Sequence, residues 1–195
     1  MPKAIPVALV LSLIAACTQR PSGSTRVAAR PLPPGLPTAP YWWRQMSVTP
    51  TDSAIEGVPL AAIDTSWARA TVLTLDLLPP DARGDSGFIR GFREGDAGFT
   101  LSDDFNRDGI PDRAMVGVYR THSGETGRFL LILTSTHDKI SKDFLATEPG
   151  ATGFSILTRR DTLIEWYECV YCDFSVSYTW NGTTYVNVPS SMEEQ

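Results

Sequence analysis

The chain has 195 residues, of which 42% are hydrophobic and 20% charged, so it is long enough for one domain with a packed core plus tails. Its formal net charge is −5, and it contains no run of basic residues. This charge pattern argues against a nucleic-acid partner. Because the chain has only two histidines, few side chains can act as a general base near neutral pH.

Residues 1–16 have the features of an export signal rather than of a folded element. Lys3 supplies a positive charge, and an apolar stretch follows at residues 4–16. This stretch is too short to span a membrane comfortably. One interpretation is an ordinary secreted protein that is cleaved near Ala16.

The motif at residues 14–17, Ile-Ala-Ala-Cys, resembles the lipobox of bacterial lipoproteins. The resemblance implies that Cys17 becomes the mature N-terminus and carries diacylglycerol, which would anchor the protein to a membrane. Since Thr18 rather than an aspartate follows the cysteine, the resemblance also implies the outer membrane in a cell that has two membranes. We therefore expect a protein of the bacterial cell envelope that faces the periplasm or the cell surface.

Residues 17–40 predict a disordered tether. Six of these residues are proline, and no apolar periodicity is present. The globular, β-rich domain is expected at residues 41–195. It begins with Tyr-Trp-Trp at residues 41–43, which either anchor the end of the tether to the domain or form an exposed binding patch.

The stretch from Asp104 to Asp112 has the spacing of a calcium-binding loop. Oxygen-bearing side chains occupy positions 1, 3, 5 and 9 of this loop: Asp104, Asn106, Asp108 and Asp112. Gly109 stands where such a loop turns sharply, and the carbonyl of Ile110 can point to the same centre. Ca²⁺ takes about six to eight oxygen ligands, which fits this set. The loop is not an EF-hand, because Met115 stands where an EF-hand has glutamate and the flanks predict strands.

The sequence at residues 104–119, DFNRDGIPDRAMVGVY, resembles the aspartate-rich loops of FG-GAP and VCBS-type β repeats. The resemblance implies that Ca²⁺ is bound by the four side chains and the Ile110 carbonyl. The chain has one copy of the loop, with Arg113 directly after it, whereas a propeller stacks many such repeats. The alternative is an acidic turn whose side chains bond only to nearby backbone.

The predicted fold class is mainly β: an antiparallel meander or sandwich-like sheet of about seven to nine strands, with one or two short N-terminal helices, at residues 59–67 and 74–78. Residues 88–93 form the first predicted strand of the series. Residues 129–135, FLLILTS, are a continuous apolar run, which is typical of a central buried strand. Residues 173–180 alternate between apolar and polar, and Asn-Gly at residues 181–182 predicts a two-residue type I′ turn.

Cys169 and Cys172 lie between two predicted strands. If residues 170–171 form the tip of a hairpin, the cysteine Cα atoms lie less than about 7 Å apart, which suits a disulfide. The oxidising compartment outside the cytoplasm favours that bond. A redox-active CxxC pair is an alternative, although a strand rather than a helix follows. A zinc site is another, although only His122 and His137 could add imidazole ligands.

No set of residues indicates a specific catalytic chemistry. The chain has no GxSxG elbow, HExxH motif or phosphate loop. The pair Glu165 and Glu168 is interpreted as a solvated strand edge. The main hypothesis is a membrane-anchored, calcium-stabilised envelope β-domain that serves as a non-catalytic binding or structural module for an envelope protein or glycan. The alternatives are a small envelope hydrolase that uses carboxylates and a periplasmic thiol protein that uses the CxxC pair.

Overall fold

The computed structural model describes residues 42–84, 86–94, 97–136, 139–170 and 175–188. These residues all belong to one structural unit, Pro37–Gln195. The predicted signal peptide, the predicted tether, Cys17 and Cys172 lie outside the described residues.

Four short helices and one 3₁₀ turn occur in this part of the chain. The helices are α1 (Trp42–Gln45), α2 (Leu60–Ile63), α3 (Pro80–Gly84) and α4 (Ser86–Glu94), and the 3₁₀ turn is Leu75–Leu77. None of the described helices has the length and apolar character that crossing a membrane requires.

Helix α4 replaces the strand that was predicted at residues 88–93. Phe88 and Phe92 are four residues apart, and their ring centroids lie 4.9 Å from each other. This spacing puts both rings on one face of a helix, where they pack against the same core. The strand prediction is therefore wrong.

Twelve strands in the described residues form three antiparallel sheets. They are β1 (Ala54–Ile55), β2 (Val58–Pro59), β3 (Trp67–Val72), β4 (Ala97–Gly98), β5 (Thr100–Asp103), β6 (Asp112–Thr121), β7 (Thr126–Thr136), β8 (Lys139–Pro149), β9 (Ile156–Arg160), β10 (Leu163–Tyr167), β11 (Val176–Trp180) and β12 (Tyr185–Val188). The first sheet has the order β3-β6-β7-β8, with β5 also paired to β6, and the second sheet has the order β12-β11-β10-β9-β4. The remaining pair, β1 and β2, forms a small sheet of its own. The predicted class, a mainly β, sandwich-like antiparallel fold, is confirmed. The strand number exceeds the expected seven to nine because β1, β2 and β4 have two residues each.

The main core contains residues from one face of the first sheet and from the second sheet. Alternate residues of β6 and β7 and residues of β9 and β10 form its centre: Val116, Val118, Leu130, Ile132, Leu157 and Ile164. Trp42 lies at its margin and meets Phe88 and Phe154 edge-on, with ring centroids 5.2 and 5.0 Å away. Trp42 and Trp43 are only 6% and 7% exposed, so they anchor the start of the domain and are not an exposed binding patch.

A second core covers the opposite face of the first sheet. Phe129 and Leu131 of β7 pack there with Trp67 of β3 and with Leu60 and Ile63 of α2. Because both faces of β7 are covered, its side chains at residues 129–133 are apolar without alternation. The prediction of a central buried strand at residues 129–135 is confirmed, since β7 lies between β6 and β8.

The hairpin between β11 and β12 differs from the prediction. Trp180 pairs with Tyr185, so the loop has four residues, 181–184, and is not a two-residue type I′ turn. The side-chain oxygen of Asn181 accepts hydrogen bonds from the backbone N–H groups of Thr183 and Thr184, at 2.9 and 3.0 Å. The asparagine thus closes the loop through its side chain. This longer loop makes Tyr185 the first residue of β12.

Candidate calcium site

The predicted calcium loop connects β5 to β6. Asp103 and Asp112 form the last pair of the β5–β6 ladder, and the loop projects beyond them. Phe105 is 6% exposed and packs into the main core, which fixes the loop to the domain. Arg107 and Gly109 have φ angles of 63° and 86°, so the chain reverses through two left-handed residues. The glycine therefore lies at the sharp turn where the sequence predicts it.

Three of the predicted ligand side chains accept hydrogen bonds from the loop backbone. Asp104 Oδ1 and Oδ2 accept from the N–H groups of Asp108 and Gly109, each at 2.9 Å. Asn106 Oδ1 also accepts from the N–H of Asp108, at 3.0 Å. Asp108 Oδ1 accepts from the N–H of Ile110, at 2.8 Å. These bonds bring the three side chains together on one curled stretch of backbone.

Asp112 is fully buried at the start of β6 and connects the loop to the second sheet. Its Oδ2 atom accepts from the N–H groups of Phe105 and Asn106, at 3.1 and 3.2 Å. The same oxygen accepts from the Tyr185 hydroxyl of β12, at 3.4 Å. Burial, followed by the charges of Asp112 and Asp143, raises the pKa of Tyr185, so its hydroxyl remains a donor.

Asp143 of β8 is a further carboxylate at this site, and the sequence analysis missed it. The register of β7 and β8 shifts between the pairs Ile132–Phe144 and Leu133–Lys142, so residue 143 has no partner on β7. Such a bulge redirects a side chain out of the normal alternation. No local signal in residues 139–149 distinguishes Asp143 from a surface acid, because only the bulge directs it to the loop.

The site gathers negative charge without a basic side chain to balance it. In the part of the chain that the structure describes, no ion pair involves any of its four carboxylates: Asp104, Asp108, Asp112 and Asp143. Arg113, which directly follows the loop, contacts Glu56 instead, at 2.6 Å. Burial raises the pKa values of Asp112 and Asp143, and the charge of Asp108 raises both further. A cation would relieve this unfavourable arrangement.

The oxygen atoms of the site are of the kinds that calcium prefers as ligands: carboxylate, amide and carbonyl oxygens. Among the described residues, no three acidic, histidine or cysteine side chains already converge as a metal-binding group. The loop carboxylates instead direct oxygens to backbone N–H groups. One oxygen fits a cation better than any other, because Oδ2 of Asp143 is buried and has no hydrogen-bond partner.

A second acidic cluster surrounds the buried Arg128 of β7. Its NH2 atom lies 2.8 Å from a carboxylate oxygen of Glu148 on β8 and 2.9 Å from one of Glu168, which follows β10. Its NH1 atom donates to the carbonyl of Phe154, at 3.2 Å. Burial, then the neighbouring Glu168, raises the pKa of Glu148, and Arg128 opposes this rise. The arginine therefore ties the first sheet to the end of a strand of the second.

Glu165 is not part of a solvated strand edge, so that interpretation is wrong for this residue. It is 6% exposed, and its Oε2 accepts from the hydroxyls of Thr158 and Tyr167 at 2.9 and 3.2 Å. Its Oε1 lies 2.8 Å from the guanidinium of Arg160. Because its neighbours satisfy both oxygens, Glu165 has a structural role in β10.

Three cavities of the described residues are lined without carboxylates. Two of these open cavities have volumes of about 510 Å³, and the third has a volume of about 380 Å³. Cys169, which lines one of the larger two, is disulfide-bonded, which is incompatible with its being a thiolate ligand of zinc. Its predicted partner Cys172 lies outside the described residues, so the pairing stays a prediction.

Comparison with known proteins does not assign the chain to a family: no family model, curated protein or solved structure matches it. The likeness of residues 104–119 to FG-GAP and VCBS-type repeats stays a prediction from the sequence. Function therefore has to be inferred from the site and not from the fold.

Proposed function

We propose that the chain is a lipid-anchored protein of the bacterial cell envelope whose β-domain binds one Ca²⁺ and serves as a non-catalytic binding or structural module. The observation that carries the calcium proposal is the group of four carboxylates beside β6, which has no basic partner among the described residues. The anchor is supported by the lipobox-like motif at residues 14–17, with Cys17 as the lipidated residue. The partner we expect is an envelope protein or glycan.

The ion would be held by oxygen atoms of the loop: Asp104, Asn106, Asp108, the carbonyl of Ile110, and Asp112. Its contribution would be positive charge among carboxylates that otherwise repel one another. Asp112 is the residue through which the positive charge of the ion would affect the stability of the fold. It pairs with β5, begins β6, and accepts a hydrogen bond from Tyr185 of β12. A cation here would offset the cost of burying this charge where the two sheets meet.

Thermal melting of the full chain, in calcium and in chelator, tests the calcium proposal. A ligand that binds only the folded state stabilises it by about 2.7 kcal/mol at a hundredfold excess over Kd. For a chain of this size, that free energy raises Tm by roughly 5–10 °C. Magnesium is the matched control, because it prefers a smaller octahedral site and should raise Tm less. Coincident curves in calcium and chelator would show that the loop is only an acidic turn.

Intact-mass analysis of protein purified from membranes tests the anchor separately. We expect a chain that begins at Cys17 and carries the mass of acyl groups, and we expect Cys17→Ala to abolish both features. A mature mass without acyl groups would refute the anchor and leave the calcium proposal untouched.

A further inference from the structure

We propose that Asp143 of β8 is an additional calcium ligand that supplies, from a distant strand, the carboxylate that the loop lacks at Met115. This inference rests on the proposed calcium site and extends it beyond the loop. The sequence spacing places all the predicted ligands between residues 104 and 112. Asp143 lies 31 positions beyond Asp112 in the sequence, and the bulge in β8 brings it to the same place.

The first observation is the state of the Asp143 side chain. Its Oδ2 atom is buried and has no hydrogen-bond partner. A buried carboxylate oxygen without a partner is costly, and proteins retain such a group mostly where a ligand completes it. No ion pair to Asp143 occurs among the described residues either. The oxygen is thus available as a metal ligand.

The second observation is the position of Asp143 relative to the loop. Arg113, the neighbour of Asp112, pairs with Leu133 of β7, and Leu133 pairs with Lys142, the neighbour of Asp143. Phe144, on the other side of Asp143, meets the ring of Tyr185 at a centroid distance of 5.4 Å, and the Tyr185 hydroxyl donates to Asp112. The strand pairing and the Tyr185 contact therefore place Asp143 at the end of the first sheet where Asp112 lies.

The third observation is the side-chain amide of Asn106. Its Nδ2 atom lies 3.1 Å from Asp108 Oδ2 and 3.5 Å from Asp112 Oδ1. One neutral amide therefore provides hydrogens to both carboxylates, and hydrogen bonding by the same Asn106 side chain opposes the rise that burial causes in the pKa of Asp143. A divalent cation would perform the same role more strongly. Rotation of the Asn106 amide would then present its oxygen to the ion, since the two ends of an asparagine amide have nearly the same shape.

Calcium titration of the full chain by calorimetry is the direct test. Asp143→Asn keeps the shape of the side chain and removes its charge, so we expect calcium affinity to fall at least about tenfold. Asp161→Asn is the matched control, because Asp161 is exposed in the β9–β10 turn and its variant makes the same change of charge. The control should bind calcium as the wild type does. Equal affinities for Asp143→Asn and the wild type would overturn the inference while leaving the calcium loop intact. Absence of calcium binding by the wild type would overturn both.

Melting curves of the same variants provide a readout that a purely structural role of Asp143 would not produce. In chelator, Asp143→Asn should melt at the same temperature as the wild type or higher, because the repulsion among the carboxylates decreases. In calcium, it should melt lower, because a ligand is lost. A variant that melts lower in both conditions would show that Asp143 supports the fold without binding the ion, and this result would overturn the inference.

Discussion

The centre of the first sheet and the predicted calcium loop beside it are ordered by different interactions. In the centre, β6 and β7 are covered on both faces, and Phe129 lies against Trp67 with a centroid distance of 5.0 Å. At the loop, four carboxylates gather where the same strand β6 begins, and their partners are backbone N–H groups, one amide and one phenol. The centre is complete through apolar packing within the chain. The loop has more carboxylate oxygens than positively charged groups that could balance them.

This difference implies that the two regions respond to different perturbations. Removing apolar volume should weaken the centre equally with and without calcium, because no ion contributes to that packing. Removing a charge at the loop should lower stability only when calcium is present, because the charge is unfavourable without a cation.

The largest effect is expected from Phe129→Ala. The ring of Phe129 is fully buried and passes over Gly117, where even a Cβ would come within 2.4 Å of it. Removing such a ring typically costs about 3–5 kcal/mol of folding free energy. Denaturant titration should show this loss, with the same calcium-dependent increment as in the wild type. If Phe129→Ala lost the calcium-dependent gain in stability, the centre and the loop would be coupled, and the two regions would not respond independently.

The centre was also the part of the fold that the sequence predicts best. The run at residues 129–135 corresponds to β7, because a strand buried on both faces needs apolar residues at every position. The strand predicted at residues 88–93 failed for a related reason. A short apolar run suits either a strand or a helix, and the packing of Phe88 and Phe92 on one core face decided the outcome.

An intermediate effect is expected from Asp108→Asn. The variant keeps an oxygen that can accept from the N–H of Ile110 but removes one negative charge from the loop. The calcium-dependent part of stability, about 2.7 kcal/mol at a hundredfold excess over Kd, should largely disappear. Stability in chelator should change little. Arg107→Ala, at the exposed neighbouring residue, should retain the full response to calcium, and melting both variants with and without calcium checks this. A full calcium response in Asp108→Asn would remove this carboxylate from the site.

The loop shows the limit of local sequence patterns. Its turn at Gly109 and the clustering of Asp104 and Asp108 follow from spacing within nine residues, so they could be predicted. Asp143 and Tyr185 reach the site through a bulge and a hairpin end, which depend on the register of distant strands. The residue pattern within one segment does not determine how distant strands pair. The positions of Asp143 and Tyr185 at the site are therefore seen only in the folded structure.

The smallest effect is expected at the Arg128 cluster, where, unlike at the loop, a basic side chain is present. Arg128 contacts both Glu148 and Glu168, yet one guanidinium balances only one carboxylate. Burial and the neighbouring Glu168 raise the pKa of Glu148 above its ordinary value. The folded state therefore binds this proton more tightly than the unfolded state does. Stability contributed by this group consequently increases as pH falls through the raised pKa and is lost as pH rises above it.

Glu148→Gln removes that titration while keeping an oxygen for Arg128 to contact. We expect the variant to be as stable as the wild type or slightly more stable near pH 7, and to lose this advantage as the pH falls toward about 4, below the raised pKa. Because the side chain is 40% exposed, solvent screening should keep the difference below about 1 kcal/mol. Denaturant titrations across this pH range provide the measurement, with Glu125→Gln in an exposed turn as the charge-matched control. A variant clearly less stable than the wild type near pH 7, with no change in pH dependence, would mean that Arg128 balances both carboxylates. In that case, the Arg128 cluster would differ from the predicted calcium loop simply because it contains an arginine. The number of carboxylates around that arginine would not matter.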